Sequence, residues 1–162
     1  GSFASTWHGA PRTTQDIDIV IDPTPDGLDR LLADLGADEV YVSPSAHDAL
    51  AARDQFNVID AAAGWKVDLI VRKDRAFSRT ELSRRVPVRL LDVDTYAATA
   101  EDTILSKLEW ASASGSDRQL ADAAAVIAVG GSRLDDAYLD HWAAELDITA
   151  HLAQARLAAA ST

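Results

Sequence analysis

Residues 1–22 read GSFASTWHGAPRTTQDIDIVID, and the fold turns on their last third, Asp16-Ile17-Asp18-Ile19-Val20-Ile21-Asp22. Strict alternation of carboxylate or Val with Ile has a period of two, the period of a β-strand. The isoleucines are expected to face a core, with Asp16, Asp18 and Asp22 on the opposite side. Strand residues two apart lie roughly 6.6 Å apart along the chain, so Asp16 and Asp18 share one small volume. Like charges that close repel by a few kcal/mol at an effective dielectric of about 20. A fold rarely keeps that arrangement without a cation between the carboxylates. For an all-oxygen site the simplest cation is Mg²⁺, which takes one or two carboxylates plus waters and substrate phosphates.

Outward from this strand the chain alternates between short strands and helices. Pro23 and Pro25 close the strand, and Asp26 is positioned to cap a helix over 27–35, where Leu28, Leu31, Leu32 and Leu35 form one apolar stripe that Gly36 ends. A short strand at 39–42 and a helix over 44–53 follow. Two further strands, 56–60 and 65–71, are joined by 61–64, a link short enough for an antiparallel hairpin. In the second of them Trp65, Val67, Leu69 and Val71 share one face, and Lys66, Asp68, Ile70 and Arg72 the other. Asp68 is thus a lone acid in an apolar run, either functional or simply on the wet face of an edge strand. A helix over 76–85 and a strand over 87–91 complete this part.

From Thr99 the pattern is helical. Thr99-x-x-Asp102 has the form of a capping box opening a helix to about Ser114, and Ser116-x-x-Gln119 opens another to about Val129. Gly130-Gly131 separates it from a third helix over 135–146, and a fourth covers 149–159. The fold class is α+β: a mixed, twisted sheet of four to five strands with helices, followed by a C-terminal helical bundle. The expected division is 1–98 for the sheet-bearing core and 99–162 for the helices.

Composition narrows the function. With 48% hydrophobic residues the 162-residue chain can bury a core, and no window approaches eighteen apolar residues, so no membrane span is expected. Zero cysteines exclude disulfides and Cys-ligated zinc; with no basic-then-apolar leader, a cytoplasmic location is the expectation. The chain has no methionine, so it is expected to begin inside a longer reading frame, with an element preceding Gly1. A net charge of −11 argues against indiscriminate nucleic-acid binding, yet residues 72–89 hold seven of the fifteen basic side chains against two acids. That run is either a solvated basic face or a recruiter of a polyanion, with Arg84 and Arg85 as the residues to test.

Asp16, Asp18 and Asp68, three acids on two strands, suit two-metal phosphoryl chemistry, in which paired ions clamp the attacking and leaving oxygens of an in-line displacement. Asp60 is the second choice for the third acid, but it sits at a strand end where acids are ordinary. Gly1 and Ser2 open a short helix expected over 2–8, whose free amides suit phosphate oxygens. Lys107 lies about 60° from Ile104 and about 40° from Ala111 on a helical wheel, bordering the apolar stripe, where a lysine commonly snorkels to water. Arg118 and Asp122, four apart, suit a surface pair of about 0.3–0.5 kcal/mol. Arg12 lies on the loop into the first strand, and His8 reads as a loop or packing residue. His47, His141 and His151 read as helix-surface residues, and no Ser-His-Asp or Gly-x-Gly-x-x-Gly pattern occurs.

Gly1-Ser2, thirteen residues, then Asp16-x-Asp18 opening a hydrophobic strand resembles the signature of the polymerase-beta-type nucleotidyltransferase superfamily. The fuller wording, Gly1-Ser2-x-Ala4, His8-Gly9-x-Pro11-Arg12-x-Thr14 and Asp16-Ile17-Asp18, is similar to the AbiEii-like and MenT-like nucleotidyltransferases, several of them toxins of toxin–antitoxin pairs. The resemblance implies Mg²⁺ held by Asp16, Asp18 and Asp68, with an NTP as substrate. It implies a nucleotide site drawing on Gly1, Ser2, Arg12, Lys107, Arg118 and Asp122, since Glu101-Asp102-x-Ile104-x-x-Lys107-Leu108 and Arg118-Gln119-x-x-Asp122 resemble family segments. The implied reaction moves an NMP to an acceptor hydroxyl with release of pyrophosphate. The implied acceptor is a tRNA 3′ end, and the implied partner a cognate antitoxin. Transfer to a protein or to a small molecule such as an antibiotic, and an inactive member that binds nucleotide or a partner, are the alternatives.

Overall fold

The computed structural model describes Ala4, His8 and residues 16–36, 40–90 and 92–161, with Asp16 described by its backbone alone. The expected 2–8 helix, apart from Ala4 and His8, lies outside the described residues, as do Gly1, Ser2 and Arg12. The chain divides into two compact units, one holding the described residues up to Ser83 and the other running from Arg84 to the C-terminus together with Ala4 and His8.

The first unit is a four-stranded mixed sheet in the order β1-β4-β3-β2, formed by β1 (Asp16–Ile21), β2 (Tyr41–Val42), β3 (Gln55–Asp60) and β4 (Trp65–Val71). β1 runs parallel to β4, whereas β3 is antiparallel to both β4 and β2. The β3–β4 hairpin forms as its short link requires. Asp60 Oδ1 accepts from the amides of Ala62 and Ala63 at 2.9 Å each, and Gly64 supplies the turn's φ of +71°. Helices α1 (Pro25–Leu35) and α2 (Ala46–Ala52) supply Leu28, Ala46 and Ala49 to a core shared with Phe56, Val58 and Leu69. Thr24, not Asp26, caps α1: its Oγ1 accepts from the Gly27 amide at 3.2 Å, and Pro25 takes the first turn, where its missing amide costs nothing.

The alternation in β1 holds only in part as a burial pattern. Ile17, Ile19 and Ile21 pair with Val67, Leu69 and Val71 on the core face. Ile21 packs against the core, but Ile19 stays 43% exposed. Among the described residues β1 is the edge of its sheet, with a neighbouring strand on one flank.

In the second unit, β5 (Val86–Leu90) and β6 (Val93–Ala97) form a separate antiparallel hairpin, so the strand expected near 87–91 does not extend the main sheet. Asp92 takes φ +63° in its turn, and the β-branched and aromatic residues Val93, Thr95 and Tyr96 were the missed signal for β6. The division between units falls inside α3 (Ala76–Arg84). Then come α4 (Ala100–Ser114), α5 (Asp117–Gly130), α6 (Asp136–Glu145) and α7 (Thr149–Ala160). Thr99 and Ser116 cap α4 and α5 by accepting from the amides of Asp102 and Gln119, as their spacing predicts. Ile104, Leu105, Leu108, Val126, Leu139 and Leu152 are buried among these helices. Among the described residues no helix is long and apolar enough to cross a membrane.

Candidate functional site

The parallel register of β1 on β4 sets Asp18 opposite Asp68, and the antiparallel register of β3 sets Asn57 opposite Asp68 on the other flank. Neighbouring strands lie about 4.8 Å apart and cross-paired residues share a face, so Asp18, Asp68 and Asn57 form one row across three strands. The next row pairs Asp16 with Lys66. This is the face opposite the apolar core, and Asp68 is buried on it while Asp18 is exposed.

Asp68 is held from two sides. Asn57 Nδ2 donates to its Oδ1, and Lys66 Nζ lies 2.9 Å from its Oδ2. A carboxylate with both oxygens engaged is oriented as well as solvated, which is why a fold can bury it. The oxygen donors in the row are carboxylates, the ligand type of a hard divalent ion. The ammonium of Lys66 already sits on one of the oxygens such an ion would use. Among residues with described side chains, no three of His, Cys, Asp and Glu gather as a metal site; the third acid expected here is Asp16. Asp60, the second choice, instead caps the β3–β4 turn.

Lys107 and Asp122 meet in the other unit. Lys107 Nζ donates to Asp122 Oδ2 at 2.9 Å and to Gln119 Oε1 at 3.2 Å. Lys107 is 5% exposed, so the snorkelling expected of a stripe-bordering lysine does not occur. α5 crosses α4 closely enough to bring two acceptors over the ammonium, and an ion pair is what makes burial of that charge tolerable. Gln119 was legible in the sequence as part of a capping box and of the Arg118-Gln119-x-x-Asp122 segment, not as a partner of Lys107. Asp122, read as the surface partner of Arg118, reaches Lys107, and Arg118 is exposed.

Several side chains of the basic run 72–89 are paired within the fold, while Lys73, Arg79, Arg85 and Arg89 stay exposed. Arg72 binds Asp22 at 2.8 Å, Arg79 binds Asp74 at 2.7 Å, and Arg89 binds Asp94 at 3.1 Å. Arg84 donates to Asp102 at 3.3 Å and stacks on the Tyr138 ring at 3.9 Å, while Arg85 lies 4.7 Å from the Tyr96 ring centre. The partners of Arg72 and Arg84 lie 50 and 18 residues away, beyond the reach of a local pattern. Arg84, named above as a polyanion contact, is therefore committed to the fold. His8 is a packing residue, as its loop position suggested: its Nε2 donates to the Ala98 carbonyl at 2.8 Å.

Compared with protein-family models and with curated proteins, this chain matches none.

Proposed function

We propose that the chain is a Mg²⁺-dependent nucleotidyltransferase that moves an NMP from an NTP to an acceptor hydroxyl and releases pyrophosphate. The observation that carries the reading is the register pairing of Asp18 with Asp68 on one sheet face, with Asp16 two residues before Asp18 on the same strand. An acid row on a sheet otherwise dedicated to packing has a use if it binds a cation. Asp16, Asp18 and Asp68 would hold Mg²⁺, whose charge, when bound, offsets the negative charge that builds on the phosphates.

The chain's own groups then divide the work. Asp68, oriented by Asn57 on Oδ1, takes the proton of the acceptor hydroxyl as that oxygen attacks the α-phosphorus. The bond from the α-phosphorus to the bridging oxygen breaks, and pyrophosphate leaves. Gly1, Ser2, Arg12, Lys107, Arg118 and Asp122 belong to the nucleotide side of this reading, on the resemblance alone. The tRNA 3′ end as acceptor and an antitoxin as partner rest on the same ground.

Incubation of the chain with each labelled NTP, Mg²⁺ and total tRNA tests the reading, with Asp18→Ala as control. Label on RNA that the control loses supports the tRNA acceptor. Label on protein or a small molecule keeps the chemistry and changes the acceptor. No transfer from any NTP to any acceptor class would remove the proposal.

A further inference from the structure

Lys66 and Asp68 are two apart on β4 and so lie on one face of the sheet, the face that also carries Asp18. The Asp68 carboxylate is asymmetric in its surroundings. On the β3 side its Oδ1 is taken by the fixed amide of Asn57, a short side chain rooted in the neighbouring strand. Its Oδ2 is met only 2.9 Å away by the ammonium of Lys66, a long side chain 42% exposed where Asp68 is 13% exposed. One partner is short and built into the sheet; the other carries its charge at the end of a four-carbon stem.

From this asymmetry we infer that Lys66 is a built-in competitor for the cation site, a role that rests on the reading of Asp18 and Asp68 as holding a divalent ion. With no ion bound, the ammonium offsets the negative charge of the acid row and keeps Oδ2 satisfied, which a buried carboxylate requires. A divalent ion has to displace it to reach that oxygen. The double charge of the incoming ion outbids a single ammonium, whereas a monovalent ion of equal charge gains nothing by the exchange. Lys66 thereby sets the concentration of divalent ion at which the site fills, and selects against monovalent ions.

Mn²⁺ titration by calorimetry, on the full chain, tests this without any assay of turnover. Wild type is compared with Lys66→Met, which keeps the stem and removes the charge, with Lys66→Arg, which keeps the charge, and with Asp18→Asn. The expected result is Mn²⁺ binding roughly two- to fivefold tighter in Lys66→Met, the upper range of what a partly exposed ion pair contributes. Lys66→Arg should stay near wild type, and Asp18→Asn should bind about tenfold or more weakly. Lys66→Gln repeats the measurement if the urea midpoint of the Met variant shows a disturbed fold. Unchanged or weaker binding in the charge-removing variants, with Asp18→Asn still weakened, overturns the role of Lys66 and leaves the cation site standing. Equal binding, or none, in both wild type and Asp18→Asn removes the cation site and the inference together.

Discussion

The ammonium of Lys107, on α4, donates at 2.9 Å to the Asp122 carboxylate on α5, and with Lys107 only 5% exposed this pair ties two helices through their shared interior. Its two members are unequal. Asp122 keeps 18% of its side chain exposed, while the lysine has little water to fall back on. Deleting the acid strands a buried cation, whereas replacing both partners by apolar residues leaves no charge to strand. Asp122→Ala is therefore expected to cost about 2–4 kcal/mol, and the double variant Lys107→Met/Asp122→Leu clearly less than that. Urea midpoints at constant m-value give the comparison. A double variant as unstable as the single one would mean that the pair holds the helices by shape alone.

A second buried acid should behave differently because it is a hub. Asp102 is 0% exposed and accepts from Thr99 Oγ1 at 2.7 Å, from Arg84 Nε at 3.3 Å and from the Tyr138 hydroxyl. Tyr138→Phe removes one donor and is expected to cost about 1–2 kcal/mol; Asp102→Ala leaves three donors without an acceptor and is expected to cost about 3 kcal/mol or more. Because both act on one network, the combined variant should lose less than the sum of the two. Chemical denaturation of the four proteins checks this, and strict additivity would show that the contacts are independent.

That hub marks where the sequence stops being readable. Thr99-x-x-Asp102 announces a helix start, and the Thr99 side chain does cap the Asp102 amide at 3.1 Å. A full capping box would turn the acid back to the Thr99 backbone. Here the carboxylate turns to Arg84 and Tyr138, 18 and 36 residues away, which no local pattern can announce. The same limit applies to the site. Period-two alternation in β1 and β4 placed Asp18 and Asp68 on definite strand faces, and wheel geometry put Lys107 beside an apolar stripe. That Asp18 faces Asp68 depends on the register of two strands joined by a long crossover. That Lys107 is paired with Asp122 depends on how α5 crosses α4. Local periodicity gives faces; only tertiary packing gives partners.

A pH experiment isolates the far end of the same sheet. Asp22, just past β1, accepts from Arg72 Nε at 2.8 Å and from Arg53 Nη1 at 3.3 Å, and chiefly the Arg72 hydrogen bond holds its carboxyl below the ordinary value of 3.8. A depressed pKa in the fold means that the unfolded chain binds the proton more readily. The contribution of Asp22 is then fully present above the ordinary value and is lost as pH falls through it toward the lower folded value. With about a third of the side chain in water, that contribution is about 0.5 kcal/mol after screening. The stability gap between wild type and Asp22→Asn should stay constant from about pH 7 to about pH 5 and close toward about pH 3. A gap that persists in acid would show that the asparagine disturbs packing, with no ionic origin.

The acid row itself predicts a stability that runs against function. Asp18 and Asp68 share one register position on neighbouring strands, and with no divalent ion their charges repel. Lys66 relieves part of this through its ion pair with Asp68. Asp18→Asn removes the repulsion and keeps the shape. In a chelator-containing buffer it is expected to unfold at the wild-type midpoint or above it, by no more than about 1 kcal/mol given the exposure of Asp18. Adding Mn²⁺ should reverse the order. An ion bound only by the folded chain stabilises it by about 2.7 kcal/mol at a hundred times its dissociation constant, and the asparagine variant should gain little of this. Thermal unfolding of both proteins, with and without Mn²⁺, reads the crossing directly. A wild type that is the less stable protein without the ion and the more stable one with it is a protein whose carboxylates are arranged for the ion at the expense of the fold. Parallel curves would leave Asp18 as an ordinary exposed acid on an edge strand.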